Sequence, residues 1–197
     1  MANEAICDEA MARCRSLIDR AEELSMKDPL AMSLATVDGA GCPSVRMVLL
    51  REFDERGFVF YTNAESRKGE QLAHNPRAAI CLYWEELREQ LRAEGVVERV
   101  SDQQSDAYWS SRSRVSQLAA CASRQSHELR QRQLLGDDVA RLDREYAGQD
   151  VPRPNFWYGF RLIPIRIEFW TGRDGRMHER TLYERDGQRW IRKLLYP

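Results

Sequence analysis

The sequence predicts a mainly β (α+β) fold, an antiparallel barrel or sandwich in one domain with peripheral helices. Between residues 31 and 62, three strand-length apolar segments alternate with short Gly- and Asp-containing turns, at the close, even spacing of a β-meander. After residue 157 the same alternation resumes and runs to the end of the chain. The composition, 43% hydrophobic and 31% charged over 197 residues, is ordinary for a globular protein and sufficient for a real core.

Taken in order, Ala5 to Leu24 reads as an amphipathic helix, with Ile6, Ala10, Cys14, Leu17, Ile18 and Ala21 at three- and four-residue spacing. Ala31–Val37 is a strand and Asp38–Gly41 a turn. Ser44–Glu52 is a second strand, Asp54–Gly57 another turn, and Phe58–Thr62 a third strand. Ser66 is expected to cap a short helix reaching His74, which Asn75-Pro76 stops. Ala78–Trp84 and Gln90–Val100 follow as strands, with Gly95 marking a bulge or a close backbone approach. Ser101-Asp-Gln-Gln104 resembles a capping box and opens a helix through Trp109. Ser126–Tyr146 reads as a helix with a weak break at Gly136, and Gly148–Pro154 as a loop. Closing strands are expected at Trp157–Ile163 and Ile165–Trp170, then a hairpin from Arg180 to Leu195 turned at Asp186-Gly187. The expected organisation is a single domain over 1–197, with an N-terminal helix in 1–25 and a barrel in 26–197 that carries inserted helices at about 101–146.

A net charge of −1 gives no global field to recruit nucleic acid or an anionic membrane. Five cysteines, an odd number without a CxxC pair, and three scattered histidines suggest neither a disulfide framework nor a metal site. With no basic segment followed by an apolar run, the expected setting is the reduced cytoplasm. P-loop, GxSxG and HExxH motifs are absent. Gly39-Ala-Gly41 lacks the third glycine of a dinucleotide fingerprint and leads into a strand.

Three constellations can carry chemistry. In the first, Arg46 and Arg51 bracket the apolar run Met47-Val48-Leu49-Leu50 on opposite strand faces, followed by Tyr61-Thr62 and by Arg67-Lys68 beside a serine. Cations, hydroxyls and helix-start N–H groups suit a phosphate monoester, although the same residues fit a solvated charge pair. In the second, Tyr108, Arg112 and Ser116 recur every four residues and form one stripe if the helix continues, a second phosphate-type clamp; taken by itself, an exposed helical face is the better account. In the third, Arg176, His178 and Arg180 point to one side of an extended segment, a cationic row that tolerates itself best around an anion.

These segments, in this order, resemble pyridoxamine 5'-phosphate oxidases. The resemblance runs from Asp28 to Pro197 and rests on Asp28-Pro-Leu-Ala-Met, Arg46 to Leu50, Phe60-Tyr-Thr-Asn63, Ser66-Arg-Lys68, Asn75-Pro-Arg77, Ser116-Gln, Ser123-Arg-Gln-Ser126, Glu168-Phe-Trp170 and Arg176-Met-His-Glu-Arg180. It implies an FMN-binding split β-barrel, Greek-key-like, working as a homodimer with FMN at the interface. Arg46, Met47, Val48, Leu49, Leu50, Arg51, Tyr61, Thr62, Arg67, Lys68 and Gln90 of one subunit would meet FMN, and Gln125, Ser126, Trp170 and Arg180 would meet it from the other. Arg51, Tyr108, Arg112 and Ser116 would take the substrate phosphate. Arg176 and His178 would lie by the pyridine ring and its reacting carbon.

The implied reaction oxidises pyridoxamine or pyridoxine 5'-phosphate with O₂ and releases H₂O₂. Two departures stand out: Arg51 replaces the family's usual Lys, and the helix from Ala5 replaces a basic, aromatic N-terminal segment. The flavin oxidases of phenazine biosynthesis share several of these segments and are the alternative. A non-catalytic flavin- or vitamer-binding protein is a third reading.

Overall fold

A computed structural model describes residues 2–197, so that of the expected N-terminal segment 1–25 only Met1 lies outside the described residues. Helix α1 (Ala2–Glu22) opens the chain. Its buried positions, Ala10, Cys14, Leu17, Ile18 and Ala21, recur with helical period and form the stripe read from the sequence. Burying Leu17 and Ile18 contributes roughly 1.5–3 kcal/mol each.

The strands are β1 (Ala31–Val37), β2 (Pro43–Leu49), β3 (Glu52–Asp54), β4 (Gly57–Asn63), β5 (Arg77–Trp84), β6 (Glu89–Arg99), β7 (Trp157–Thr171), β8 (Glu179–Asp186) and β9 (Arg189–Leu195). They form one antiparallel sheet in the order β2-β1-β5-β6-β7-β4-β3, with β8 and β9 continuing from β7. Along β1 and β5 every second side chain is buried: Met32, Leu34 and Thr36, then Ala78, Ile80, Leu82 and Trp84. This period-2 alternation sets a buried face against an outer, half-exposed one. Helix α1 ties the end of the chain to its start: Tyr183 donates to Glu9 at 2.7 Å, and the Arg13 guanidinium lies 4.2 Å from the centre of the Phe169 ring.

The segment expected as one strand, Ser44–Glu52, is two. β2 pairs with β1, and the chain then switches at Leu50–Arg51 so that β3 can pair with β4. Leu50 N–H donates to Leu30 and Arg51 N–H to Val59, so the switch leaves no amide unpaired. Conversely, the two strands expected on either side of Pro164 are one. Gly95 of β6 pairs with Pro164 and Glu94 with Arg166, so Ile165 is an extra residue. This bulge absorbs the proline's missing N–H. The N-terminal half of β7 pairs with β4 and its C-terminal half with β8, while β6 runs along the other edge.

Helix α2 (Arg67–His74) leaves β4, and α3 (Asp102–Ser111), α4 (Arg114–Ala122) and α5 (Arg132–Glu145) fill the connection between β6 and β7. Ser101 caps α3, accepting from the Gln104 N–H. The continuous helix expected over Ser126–Tyr146 is shorter, because Ser126 has a left-handed φ of 75° and α5 begins only at Arg132. Gly136 leaves no break; it stands inside α5 with open space beside it. Trp109, Leu118, Val151 and Trp157 make a second, smaller core beneath these helices.

Gly57 starts β4 at φ 133°, where an added Cβ would overlap the Leu162 carbonyl oxygen. Gly57→Ala is expected to destabilise the fold by at least ~2 kcal/mol, since strain and collision act together. Gly187, at φ 59° with open space beside it, is the control: Gly187→Ala should cost only about 1 kcal/mol. Denaturant midpoints of the two variants check the difference.

Candidate active site

A cleft of about 1170 Å³ lies among β2, β4, the start of α2, the α3–α4 junction and the segment after α4. Its lining includes the cations Arg46, Arg51, Arg67, Lys68 and Arg112 and no carboxylate. Among the described residues none of these five forms an ion pair, whereas Arg92, Arg153, Arg161 and Arg180 all do. Unpaired like charges crowded into one concavity are unfavourable until an anion enters.

At one end stand Arg46, Arg67 and Lys68. Lys68 is almost fully buried, and burial together with the Arg46 charge pulls its ammonium down to about 8. Its Nζ donates to Ser66 Oγ at 2.9 Å and to Gln125 Oε1. Gln125 also accepts from Thr62 Oγ1 at 3.3 Å. Ser66 occupies the cap position of α2 but makes no side-chain cap. Its hydroxyl donates to Asn63 C=O and holds Lys68 instead. Gly69 lets the first turn of α2 press against Ala64, where any Cβ would collide with the Ala64 backbone. Arg46 is fixed by donating to Leu34 C=O at 3.0 Å, to Thr36 Oγ1 at 2.6 Å and to Ser44 Oγ at 2.5 Å. Burial, then Arg67, lowers its pKa.

The other end is walled by rings. Tyr61 and Tyr108 stack with centroids 4.0 Å apart, and Trp157 lies 5.5 Å from Tyr61. Arg112 sits 4.6 Å over Trp157 and Arg51 5.9 Å over Tyr108. Gly159 makes room for this stack, since a Cβ there would come within 2.7 Å of Tyr61. Arg112 Nη1 is buried without a hydrogen-bond partner. A buried donor left unmatched beside a cleft calls for an acceptor.

Tyr108, Arg112 and Ser116 all line the cleft, but not as a stripe on one helix. α3 ends at Ser111, Arg112 is extended at ψ 148°, and Ser113 caps the separate helix α4 by accepting from the Ser116 N–H. Two helix ends, rather than one helical face, bring the three together. Met47, Val48 and Leu49 line the cleft, while Leu50 is turned into the core.

The remaining expected residues gather elsewhere. Tyr83, Gln90, Trp170, Arg180 and Leu195 pair in one row across β5 to β9. Trp170 carries His178 at 4.7 Å between ring centroids. Arg180 donates through Nε and Nη2 to Glu168, which Arg92 also clamps, and through Nη1 to Tyr196 C=O. These two guanidiniums hold the Glu168 carboxyl below its usual range against the opposing effect of burial. The expected strand face of Arg176, His178 and Arg180 does not form. Arg176 ends a 3-10 turn, Asp174–Arg176, with φ 61°, and β8 begins only at Glu179. Arg173 N–H donates to His178 Nδ1 at 3.1 Å, which leaves Nε2 as the ring nitrogen outside that bond. Of the non-glycine residues with left-handed φ, two, Ser126 and Arg176, are expected site residues, and strained backbone of this kind concentrates at functional sites. Gln125 and Ser126 line the cleft together with Lys68 of their own chain, and Gln90 does not line it.

Sequence reasoning passed over Ser44, Asn63, Gln71, Trp157 and Glu52. Gln71 follows Lys68 by three helical positions, and its Oε1 accepts from Thr36, Ser44 and Arg46. That spacing was the available signal for Gln71.

A curled antiparallel sheet bearing a cation-lined cleft beside stacked rings defines a split-barrel protein built to hold a phosphorylated aromatic ligand. Residues 18–144 match the family profile described as pyridoxamine 5'-phosphate oxidase, and residues 157–197 match the pyridoxine 5'-phosphate oxidase C-terminal dimerisation region. The chain belongs to the pyridoxamine 5'-phosphate oxidase family, whose members are FMN-dependent oxidoreductases. It is 50% identical over 189 residues to a pyridoxine/pyridoxamine 5'-phosphate oxidase of Myxococcus xanthus, covering 96% of this chain and 92% of that one. It is 47% identical over 194 residues to the protein of that name from Alkalilimnicola ehrlichii, covering 98% and 99%. Among solved structures, PhzG from Burkholderia lata, in complex with tetrahydrophenazine-1-carboxylic acid, superposes with a TM-score of 0.90 at 33% identity, covering 95% and 92%. Among the described residues no helix is long and apolar enough to cross a membrane, and no cluster of metal-ligating side chains is found.

Proposed function

We propose that this protein oxidises pyridoxamine 5'-phosphate and pyridoxine 5'-phosphate to pyridoxal 5'-phosphate, with FMN as cofactor and O₂ as acceptor, releasing H₂O₂. The observation that carries this reading is the cleft with five cations and no carboxylate, wide enough for a flavin and a pyridine ring. Its polar groups fit FMN. Arg46, Arg67 and Lys68, with Gln125 and Ser126 of the same chain and the free N–H groups of α2, would hold the FMN phosphate. Met47, Val48, Leu49, Tyr61 and Thr62 would flank the flavin. Arg51, Tyr108, Arg112 and Ser116 would hold the substrate phosphate, with the unmatched Arg112 Nη1 supplying a donor.

When bound, FMN would supply the redox chemistry: a hydride acceptor for the substrate C4' carbon and a route for the electrons to O₂. The chain supplies orientation and the exclusion of water. Anchoring the phosphate at the α3–α4 junction would fix the position of the substrate ring in the cleft. Arg176 and His178 Nε2 would steady the ring and the charge that develops as hydride leaves.

Those two residues do not line the cleft of their own chain, so this reading assigns them, with Gln90, Trp170 and Arg180, to the cleft of a second copy. The outer sheet face supports a homodimer. Val45 (67% exposed), Met47 (61%) and Tyr83 (51%) present apolar surface there, and Val45 and Met47 also border the cleft. The cysteines are all free thiols, which suits the cytoplasm.

H₂O₂ release with pyridoxamine phosphate, pyridoxine phosphate and a dihydrophenazine carboxylate tests the reading. Turnover of the phenazine compound alone would move the protein to the alternative, and FMN binding without turnover of any of the three would make it a carrier.

A pH dependence follows from Lys68. Bound phosphate favours the ammonium, so binding raises the Lys68 pKa and takes up a proton at any pH between its free and bound values. FMN affinity is therefore complete below about 8 and falls as pH rises through it. The FMN Kd is expected to rise about tenfold between pH 8 and pH 9.5. Lys68→Arg should flatten that rise, as fluorescence-quenching titrations would show.

A further inference from the structure

Glu52 lies just outside the cleft, next to Arg51 in sequence, and its carboxylate joins two elements that no other hydrogen bond joins at this point. Oε1 accepts from the Tyr61 hydroxyl on β4, and Oε2 accepts from Gln104 Nε2 on α3 at 2.6 Å. Gln104 lies one turn before Tyr108, and α3 runs on from there to Ser111, with Arg112 at its C-terminal cap. Glu52 thus grips both partners of the Tyr61–Tyr108 stack, one directly and one through its helix.

The stack alone does not fix the helix. Facing rings slide over each other at little cost, because their attraction depends weakly on lateral offset. A carboxylate accepting two side-chain hydrogen bonds removes that freedom. Other bonds of α3 lead to β7, to α4 and to the loop before β7: Trp109 donates to Val151 C=O at 2.7 Å and accepts from Gln117, Arg153 pairs with Asp102 and Asp106, and Ser105 accepts from Gly159 N–H at 3.2 Å; none of them reaches β3 or β4.

We propose that Glu52 is a positioning residue that locks α3 to β4 and thereby sets where Tyr108 and Arg112 meet the substrate phosphate. This rests on the reading of the cleft given above. Glu52 touches neither ligand. It acts on the half of the cleft built from α3 and leaves the Arg46–Arg67–Lys68 half alone. The Tyr61 side of the joint is held independently, since that ring also packs on Trp157 and against Gly159.

The test uses the FMN-loaded protein and the variants Glu52→Ala, Glu52→Gln and Gln104→Leu. Glu52→Ala is expected to raise KM for pyridoxamine phosphate about tenfold, the loss of one charge-assisted contact, with kcat and the FMN Kd within about twofold of wild type. Glu52→Gln keeps an acceptor for Tyr61 and should restore KM to within about threefold. Gln104→Leu should raise KM and add little in combination with Glu52→Ala, because both break the same joint. An unchanged KM with a lowered Tm makes Glu52 purely structural and overturns the proposal, as does an FMN Kd that rises in step with KM.

If wild type does not oxidise pyridoxamine phosphate, the functional reading fails while the joint stays testable. The near-ultraviolet circular dichroism of the Tyr61–Tyr108–Trp157 stack should change in Glu52→Ala and be retained in Glu52→Gln. An identical spectrum in all three proteins would then refute the joint.

Discussion

Lys68→Met is expected to give a protein that loses its yellow colour on dilution while folding at least as stably as wild type. Two effects of one side chain separate here. Without a bound anion the Lys68 ammonium is a cost: it is almost fully buried, faces the Arg46 charge, and among the described residues donates to Ser66 and Gln125. Replacing a desolvated cation by an apolar chain of similar length is neutral or stabilising when the charge has no counterion. Ser66 keeps its bond to Asn63 C=O, so the entry to α2 survives.

With FMN present the sign reverses, because the cation gains the phosphate it lacked. Losing a charge-assisted bond of about 1.5–3 kcal/mol corresponds to an FMN Kd raised roughly 10- to 150-fold. Fluorescence titration of FMN and a thermal melt of the apoprotein, run together, check the pair of outcomes. A variant that melts lower and binds FMN normally would make Lys68 a structural residue and remove the phosphate from this end of the cleft.

The same contrast explains what the sequence could and could not reveal. The strands of the meander were legible because alternation has period 2, and Met32, Leu34 and Thr36 obey it without exception. The α1 stripe was legible for the equivalent helical reason. What failed was continuity. Leu50 and Arg51 look like strand, yet the chain changes partners there, and a partner change leaves no mark on apolar periodicity. Pro164 looks like a strand end, yet a bulge opposite Gly95 carries the strand through.

The site followed the same rule. Arg46, Arg67 and Lys68 could be grouped because a strand and a helix start bring them together locally. Tyr108, Arg112 and Ser116 share one cleft but not one helical stripe, because Ser113 caps a new helix, which four-residue spacing alone does not reveal. Glu52 was invisible: its meaning depends on Gln104, which lies 52 residues away and reaches it only in the folded chain.

The second large effect concerns Arg176 and His178. Arg176→Ala and His178→Ala are each expected to lower kcat/KM by roughly 10- to 150-fold, with FMN retention little changed. Arg112→Ala should lower it similarly by losing the phosphate contact. Their locations separate the defects. Arg112 lines the cleft, whereas Arg176 and His178 do not, and His178 packs on Trp170.

In a twofold dimer whose cleft is completed by the other copy, an Arg112→Ala chain paired with a His178→Ala chain places both defects in one cleft and leaves the other cleft intact. Mixing the two inactive proteins and allowing subunits to exchange should therefore restore roughly one quarter of wild-type activity, since half the dimers are mixed and half of their sites are whole. The measurement is H₂O₂ release before and after exchange, with size-exclusion chromatography confirming that the mixture remains dimeric. Activity that stays at the level of the separate variants would mean that His178 serves its own chain's cleft or none. In either case the row of Gln90, Trp170 and Arg180 would lose its place against a second copy's flavin.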